Sequence, residues 1–297
     1  MNWFLVFGLA ALVFFTVLFY LRNRTNGVVV SGGRRRCYLL YVPDSYHPDQ
    51  PAPLVISIHG FVQWPAHQAR LSGWNQLADR EGFLVVYPRG SGFPLRWNAQ
   101  PIVSAPEKSL VDVRFFADLI DQLSGSYQID PRRIYVNGMS NGGGMANLLA
   151  CELPGRFAAF GGVAGAYLCP PEDRKGPRPI PWIVFHGVDD PVVLFQGGES
   201  IRHQRTLRFP PIEEWIADWA QANGCSSEPE INRITSQVSR NSYTNCANGV
   251  EVVFYRISGA GHTWPGGGFL PRWLTGKTNR EINATELMWE FFQRYHI

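Results

Sequence analysis

The chain has 297 residues, 45% hydrophobic and 17% charged, with 30 glycines, 22 prolines, five cysteines and a formal net charge of +3. A chain of this length and apolar content buries a large core without a metal or disulfide scaffold, which excludes intrinsic disorder; scattered Gly and Pro exclude collagen-like and low-complexity readings. Five of the 27 basic residues (Arg22, Arg24, Arg34, Arg35 and Arg36) fall in one short stretch, so the positive balance does not point to nucleic acid.

Residues 2–21 carry no charge, and at 1.5 Å per residue they reach roughly 30 Å, the thickness of a bilayer's hydrocarbon core. Trp3 and Tyr20 stand near the two ends, where aromatic side chains favour the membrane interface. No basic segment precedes the run and no small-x-small site follows it, unlike a secretory signal peptide. Nor does a polar face mark it as a core helix. Residues 1–21 are therefore expected to form a single transmembrane anchor, 22–33 a short tether, and 34–297 one catalytic domain. The arginines after the span would place that domain in the cytoplasm by the positive-inside rule, and cysteine usage points the other way.

Beyond the tether, strand-like and helix-like segments alternate without internal repeat. Residues 38–41 (YLLY), 54–58 (LVISI), 83–87 (FLVVY), 134–136 (IYV), 182–185 (WIVF) and 250–255 read as strands, apolar and β-branched with Pro or Gly at many of their ends. Residues 71–80 read as a helix with Leu71, Trp74, Leu77 and Ala78 on one face, and 110–123 as another carrying Val113, Phe116, Leu119, Ile120 and Leu123. A further helix is expected at 212–222. This alternation predicts an α/β fold, a mostly parallel sheet with helices on both faces, whose ligands sit beyond the carboxyl ends of the strands.

There the strand 134–137 runs into Gly138-Met139-Ser140-Asn141-Gly142 and a helix-capable run, the strand-turn-helix setting that gives G-x-S-x-G its meaning. Such a turn lifts the serine hydroxyl to the sheet edge and aims a helix N-terminus at it. A serine nucleophile needs a base held by a third group. Chain order Ser, acid, His selects His262, in the loop after the last strand, and places the acid in His186-Gly187-Val188-Asp189-Asp190-Pro191, where either aspartate could serve. The amides of Asn141, directly after the serine, and Phe61, in the loop after strand 54–58, are expected to form an oxyanion hole; Gly60 would permit the unusual backbone angle there. His59 is expected to be structural, bonded to nearby backbone.

These residues carry a resemblance. Tyr41-Val42-Pro43, Ile58-His59-Gly60, GMSNG at 138–142, HGVDDPVV at 186–193 and GAGHTWPGG at 259–267 resemble the polyhydroxybutyrate depolymerase and feruloyl esterase family of α/β-hydrolases. The resemblance runs from about Arg35 to the C-terminus. It implies a single α/β-hydrolase domain, usually exported, that cleaves carboxylic esters without a cofactor. It selects Asp190 over Asp189 through the pattern H-G-x-x-D-x-x-V. In the oxyanion loop, usually H-G-C/A-x-Q, Phe61 replaces the small residue and Gln63 keeps the last position. The lid or binding domain of true polymer-degrading members has no counterpart. The resemblance further implies a Cys225–Cys246 disulfide, flanking a polar run, which would require an oxidising compartment and favours the extracytoplasmic side of the membrane. With Cys37, Cys151 and Cys169 left over, at least one thiol stays free unless it pairs between chains, and Cys151 is expected to pack as a small hydrophobe.

The sequence thus predicts a membrane-anchored serine esterase acting on hydroxyalkanoate- or feruloyl-type esters. Ser140 is the nucleophile, His262 the base, Asp190 its orienter, and Trp64, Trp97 and Trp264 are candidate substrate contacts. No metal or cofactor is implied, since C-x-x-C, H-E-x-x-H and G-x-x-x-x-G-K are all absent. A peptidase or acyltransferase of the same fold, or a non-catalytic hydrolase-like binding protein, are the alternatives.

Overall fold

The computed structural model of the chain describes residues 24–100, 106–202 and 205–297. The expected anchor lies outside the described residues; among them, no helix is long and apolar enough to cross a membrane. In chain order the strands are β1 (Gly27–Ser31), β2 (Arg34–Tyr41), β3 (Ala52–Ile58), β4 (Leu84–Pro88), β5 (Ile129–Met139), β6 (Ala159–Val163) and β7 (Trp182–Gly187), then β8 (Gly198–Arg202), β9 (Arg205–Phe209), β10 (Glu230–Arg233), β11 (Val238–Tyr243) and β12 (Val252–Ile257). The helices are α1 (Pro65–Ser72), α2 (Trp74–Glu81), α3 (Pro106–Ser126), α4 (Asn141–Glu152), α5 (Ile212–Ala222), α6 (Arg272–Thr275) and α7 (Ala284–Phe292).

Ten strands form one sheet in the order β1-β2-β4-β3-β5-β6-β7-β12-β11-β10, and β8 pairs with β9 in a separate hairpin. The six strands from β4 to β12 run parallel. Antiparallel strands close both flanks, so the sheet is mixed rather than parallel throughout. β3 is buried along its whole length, and its alternate residues serve two cores. Leu54, Ile56 and Ile58 join Phe116 and Leu119 of α3 and Trp215 and Trp219 of α5 on one face. Val55 faces the other way, toward Leu71 of α1, Trp74 and Leu77 of α2, and Met288 and Phe292 of α7. Helices thus cover both faces, which leaves the strand ends as the place for chemistry.

Two expectations change, and one strand goes unread in the sequence. The segment 71–80 is split between two helices, because Gly73 takes a left-handed backbone (φ 72°) that ends α1 and starts α2 at an angle; its four apolar residues are buried as expected. The expected tether is partly strand: β1 pairs with β2 from Gly27 to Ser31, so the sheet begins before residue 34. And β6 (AFGGV) has no legible strand signal, because Gly161 and Gly162 give their side-chain space to Met288 and Tyr167, which a Cβ would meet at 2.9 and 2.1 Å. Cys225 and Cys246 are joined by a disulfide across the span holding β10 and β11.

Phe116 is fully buried on α3, whereas Val111 of the same helix is exposed. Phe116→Ala is expected to cost about 3–5 kcal/mol of unfolding free energy, and Val111→Ala less than about 0.5 kcal/mol, measured by urea titration. Equal losses would mean that α3 does not seal the core as described.

Candidate active site

Ser140 stands between β5 and α4 with φ 56° and ψ −120°, a conformation that L-residues avoid. Its surroundings impose it. Its N–H donates to the Val163 carbonyl at 3.0 Å, and its own carbonyl accepts from the N–H groups of Gly144 and Ala166, each at 3.0 Å. The chain turns so tightly that a Cβ at Gly138 would lie 2.2 Å from the Gly142 carbonyl oxygen, and one at Gly142 2.3 Å from that of Ile58. Hence the glycine on each side of the serine. Asn141 opens α4, and the N–H of a first helical residue has no acceptor within its helix.

The carboxyl ends of β7 and β12 bring a second group together. His262 Nδ1 donates to Asp190 Oδ2 at 2.8 Å, while Asp190 Oδ1 accepts from the N–H groups of Val192 and Val193 at 2.8 and 2.9 Å. Asp189 is exposed, and of the two neighbouring aspartates the structure brings Asp190 to the imidazole. Burial pushes the Asp190 carboxyl up, but the His262 hydrogen bond, the electrostatic pull of the two nearby imidazoles and the Val192 amide bring it below the usual carboxylate value. With Nδ1 engaged, the His262 nitrogen facing away from Asp190 is Nε2. β5, β6, β7 and β12 are adjacent in that order, so Ser140 and the Asp190–His262 pair share one edge of the sheet.

His186, which the sequence reading left without a role, lies beneath this pair. Its Nε2–H donates to the Val193 carbonyl at 2.9 Å and lies 3.4 Å from Asp190 Oδ2, so it closes the 186–193 loop around the carboxylate. The H-G-x-x-D spacing was its only sequence signal.

His59 does the same for the loop after β3. Its Nδ1–H donates to the Gly60 carbonyl at 2.8 Å, and its Nε2 accepts from Gly90 N–H at 3.0 Å. The Gly60 carbonyl also accepts from Gln63 N–H, while Gln63 Oε1 accepts from Gly60 N–H. The peptide joining Gly60 to Phe61 is trans and planar, so pinning its carbonyl fixes its N–H, that of Phe61, in the opposite direction. Gly60 does not take the unusual backbone angle expected of it; Val62 does, at φ 63°. Glycine is needed at 60 for closeness instead, since a Cβ there would sit 3.3 Å from that of Ser140.

The tryptophans divide. Trp97 and Trp264 are 3% and 0% exposed, and their indole N–H groups donate to the His59 carbonyl and to Thr285 Oγ1, so neither offers a surface to a substrate. Trp97 is a brace: its backbone N–H donates to Asn141 Oδ1 at 2.8 Å and its carbonyl accepts from Asn141 Nδ2 at 3.2 Å, which ties the 90–98 loop to the elbow. Trp64 is half-buried at the start of α1. Among the described residues, no group of three or more His, Cys, Asp or Glu could hold a metal ion.

A parallel central sheet with a strained serine elbow after one strand, an acid loop after another and a histidine loop after the last defines an α/β-hydrolase. Residues 36–171 match the family model described as esterase PHB depolymerase. A protein of Nocardia uniformis subsp. tsuyamanensis named "Putative esterase NocK" is 30% identical over 89% of this chain and 80% of its own length. Feruloyl esterase B of Piromyces equi is 29% identical over 76% of this chain, which spans only 42% of that protein. An acetyl xylan esterase from Aspergillus awamori shares the fold, with a TM-score of 0.61 over 92% of this chain and 96% of that one at 18% identity. The chain belongs to the polyhydroxybutyrate depolymerase and feruloyl esterase family.

Burial holds His59 neutral, pushed down to about 4, and burial likewise lowers His186. In the unfolded chain both would take up protons near 6.5, so below that pH the unfolded state binds more protons and stability falls as pH falls. The unfolding free energy is expected to be flat above about pH 7 and to decline from about 6.5 toward 4, by roughly 1.4 kcal/mol per pH unit for each histidine involved. Chemical denaturation across this range checks it; a free energy unchanged down to pH 4.5 would mean that both histidines are protonated in the fold.

Proposed function

We propose that this protein is a serine carboxylic ester hydrolase. Ser140 attacks the ester carbonyl; His262 takes the hydroxyl proton at Nε2 and later gives it to the leaving alcohol. Asp190 holds the imidazole in that tautomer and stabilises its charged form. The amides of Phe61 and Asn141 bind the oxyanion, and water then hydrolyses the acyl-enzyme. The observation that carries this reading is the buried 2.8 Å Asp190–His262 hydrogen bond on the edge that holds the strained Ser140.

The substrate class is a carboxylic ester of the feruloyl or hydroxyalkanoate kind. The names of the relatives support it: feruloyl esterase B, a bifunctional acetylxylan esterase/xylanase and a poly(3-hydroxyalkanoate) depolymerase. Residues 2–21 would hold the enzyme to a membrane, and the Cys225–Cys246 disulfide favours its extracytoplasmic side.

Ser140→Ala is expected to lower ester hydrolysis by roughly 10³-fold or more and to abolish fluorophosphonate labelling. Asp190→Asn should reduce kcat by a factor on the order of 10⁴ by holding the wrong tautomer, and Asp189→Asn by less than about tenfold. The reverse ranking would overturn the acid assignment. The assay compares short-chain p-nitrophenyl esters, methyl ferulate, hydroxybutyrate oligomers and an aminoacyl anilide; preference for the anilide would make the protein a peptidase instead.

Gly60→Ala tests the oxyanion loop, because the added methyl would press on Ser140 and on Gln63 Oε1, 3.1 Å away. Loss of one oxyanion donor should lower kcat by about 10²–10³ with little change in KM. A change in KM alone would place Gly60 in substrate binding.

A further inference from the structure

Two of the five cysteines remain outside the chemistry proposed above and lie against one another. Cys151 is four residues after Asn147 on α4, so the two side chains share one face of that helix. The loop that follows β6 crosses this face. Cys169 N–H donates to Asn147 Oδ1 at 3.0 Å, and the Cys151 thiol lies 3.6 Å from the carbonyl oxygen of Pro170, the next residue. The helix therefore grips the chain immediately before and after the Cys169 side chain. The Cys169 thiol lies next to that of Cys151, and both residues are buried and carry free thiols in the structure.

A nucleophile or metal site does not fit this pair. The adjacent Cys169 thiol, with burial, raises the Cys151 thiol far above its usual range, so it is not a thiolate. Among the described residues no third ligand completes a metal site. What suits two facing, buried thiols in a domain that already contains one disulfide is a second one.

We propose that Cys151 and Cys169 form a disulfide, closing a loop of 169 − 151 = 18 residues that contains β6. Each thiol loses its proton in turn. The first thiolate attacks a small-molecule or protein disulfide and expels one thiolate, and the second attacks the resulting mixed disulfide and expels the other. The oxidant thus leaves as two thiols and no further electron acceptor is required. Because both sulfurs are buried in the folded domain, the bond forms during folding, before α4 and the loop close over it.

The bond would act on the elbow. The strap between β6 and Cys169 supplies the Ala166 N–H to the Ser140 carbonyl and the Ala164 N–H to the Phe185 carbonyl of β7. A covalent tie at Cys169 anchors the far end of this strap to α4, the helix that Ser140 begins. With Cys225 and Cys246 already joined, Cys37 on β2 would be the one thiol left.

The test is refolding of reduced, full-length protein in a mixture of reduced and oxidised glutathione, followed by alkylation in denaturant without reductant and peptide mapping. The expected result is a peptide pair linked through Cys151 and Cys169, two hydrogens lighter than the separate peptides, with Cys37 alkylated. Alkylation of both Cys151 and Cys169 in molecules that carry the Cys225–Cys246 link would overturn the proposal, as would glutathione attached to either. In the same oxidised protein, Cys151→Ala and Cys169→Ala should each lower Tm by roughly 5 °C or more, and the double variant scarcely further. Additive losses would mean two independent buried thiols. Neither readout involves esterase activity, so the disulfide and the proposed reaction stand or fall separately.

Discussion

The left-handed backbone at Ser140 is the constraint around which the rest is arranged. Holding a non-glycine residue in a sparsely populated conformation costs on the order of 1–3 kcal/mol, and it persists only where neighbours over-determine it. Here they do so from three directions: β6 through the Val163 carbonyl, α4 through Gly144, and the strap after β6 through Ala166. The flanking glycines allow β3 and α4 to come within contact of the turn. Much of the sheet's centre therefore serves as a clamp on one residue.

The three buried histidines near this edge show how hydrogen bonding divides a single side-chain type into separate roles. His59 and His186 spend at least one nitrogen on a backbone carbonyl and are held neutral by burial, which makes them rigid spacers inside loops. His262 spends its Nδ1 on a carboxylate, which leaves Nε2 as the nitrogen turned away from that carboxylate. Asp190 in turn is prepared by two backbone amides, so the imidazole meets a carboxylate already fixed in place. The two spacer histidines also tie the loop geometry to acid stability, because the fold that orients the loops is the one that keeps them unprotonated.

Buried polar contacts extend this organisation away from the serine. Asp112 of α3 is fully buried, pairs with Arg36 of β2 at 2.7 Å and accepts from both the backbone and the side chain of Asn98. Asn98 follows Trp97, whose backbone is bonded to the Asn141 side chain. One chain of hydrogen bonds thus runs from an outer strand to the residue after Ser140. A charge pair so placed adds little net stability, because desolvating both charges offsets their attraction.

Much of this was legible from short stretches. G-x-S-x-G after an apolar strand states its own backbone requirement, because only glycine fits where chain segments nearly touch; alternating apolar runs likewise announce a sheet covered on both faces. The adjoining Asp189 and Asp190 differ in nothing that local sequence can measure, and it is the turn after β7 that buries one and exposes the other. Trp97 and Trp264 look like candidates for a groove until packing closes over them. β6, with two glycines, carries a weak strand signal, because its pairing is supplied by β5 and β7. The sequence by itself determined the chemistry available and the order in which the strands deliver it. Only the tertiary structure decided which neighbours are buried, which nitrogen is engaged and which two thiols meet, because those depend on contacts between residues distant along the chain.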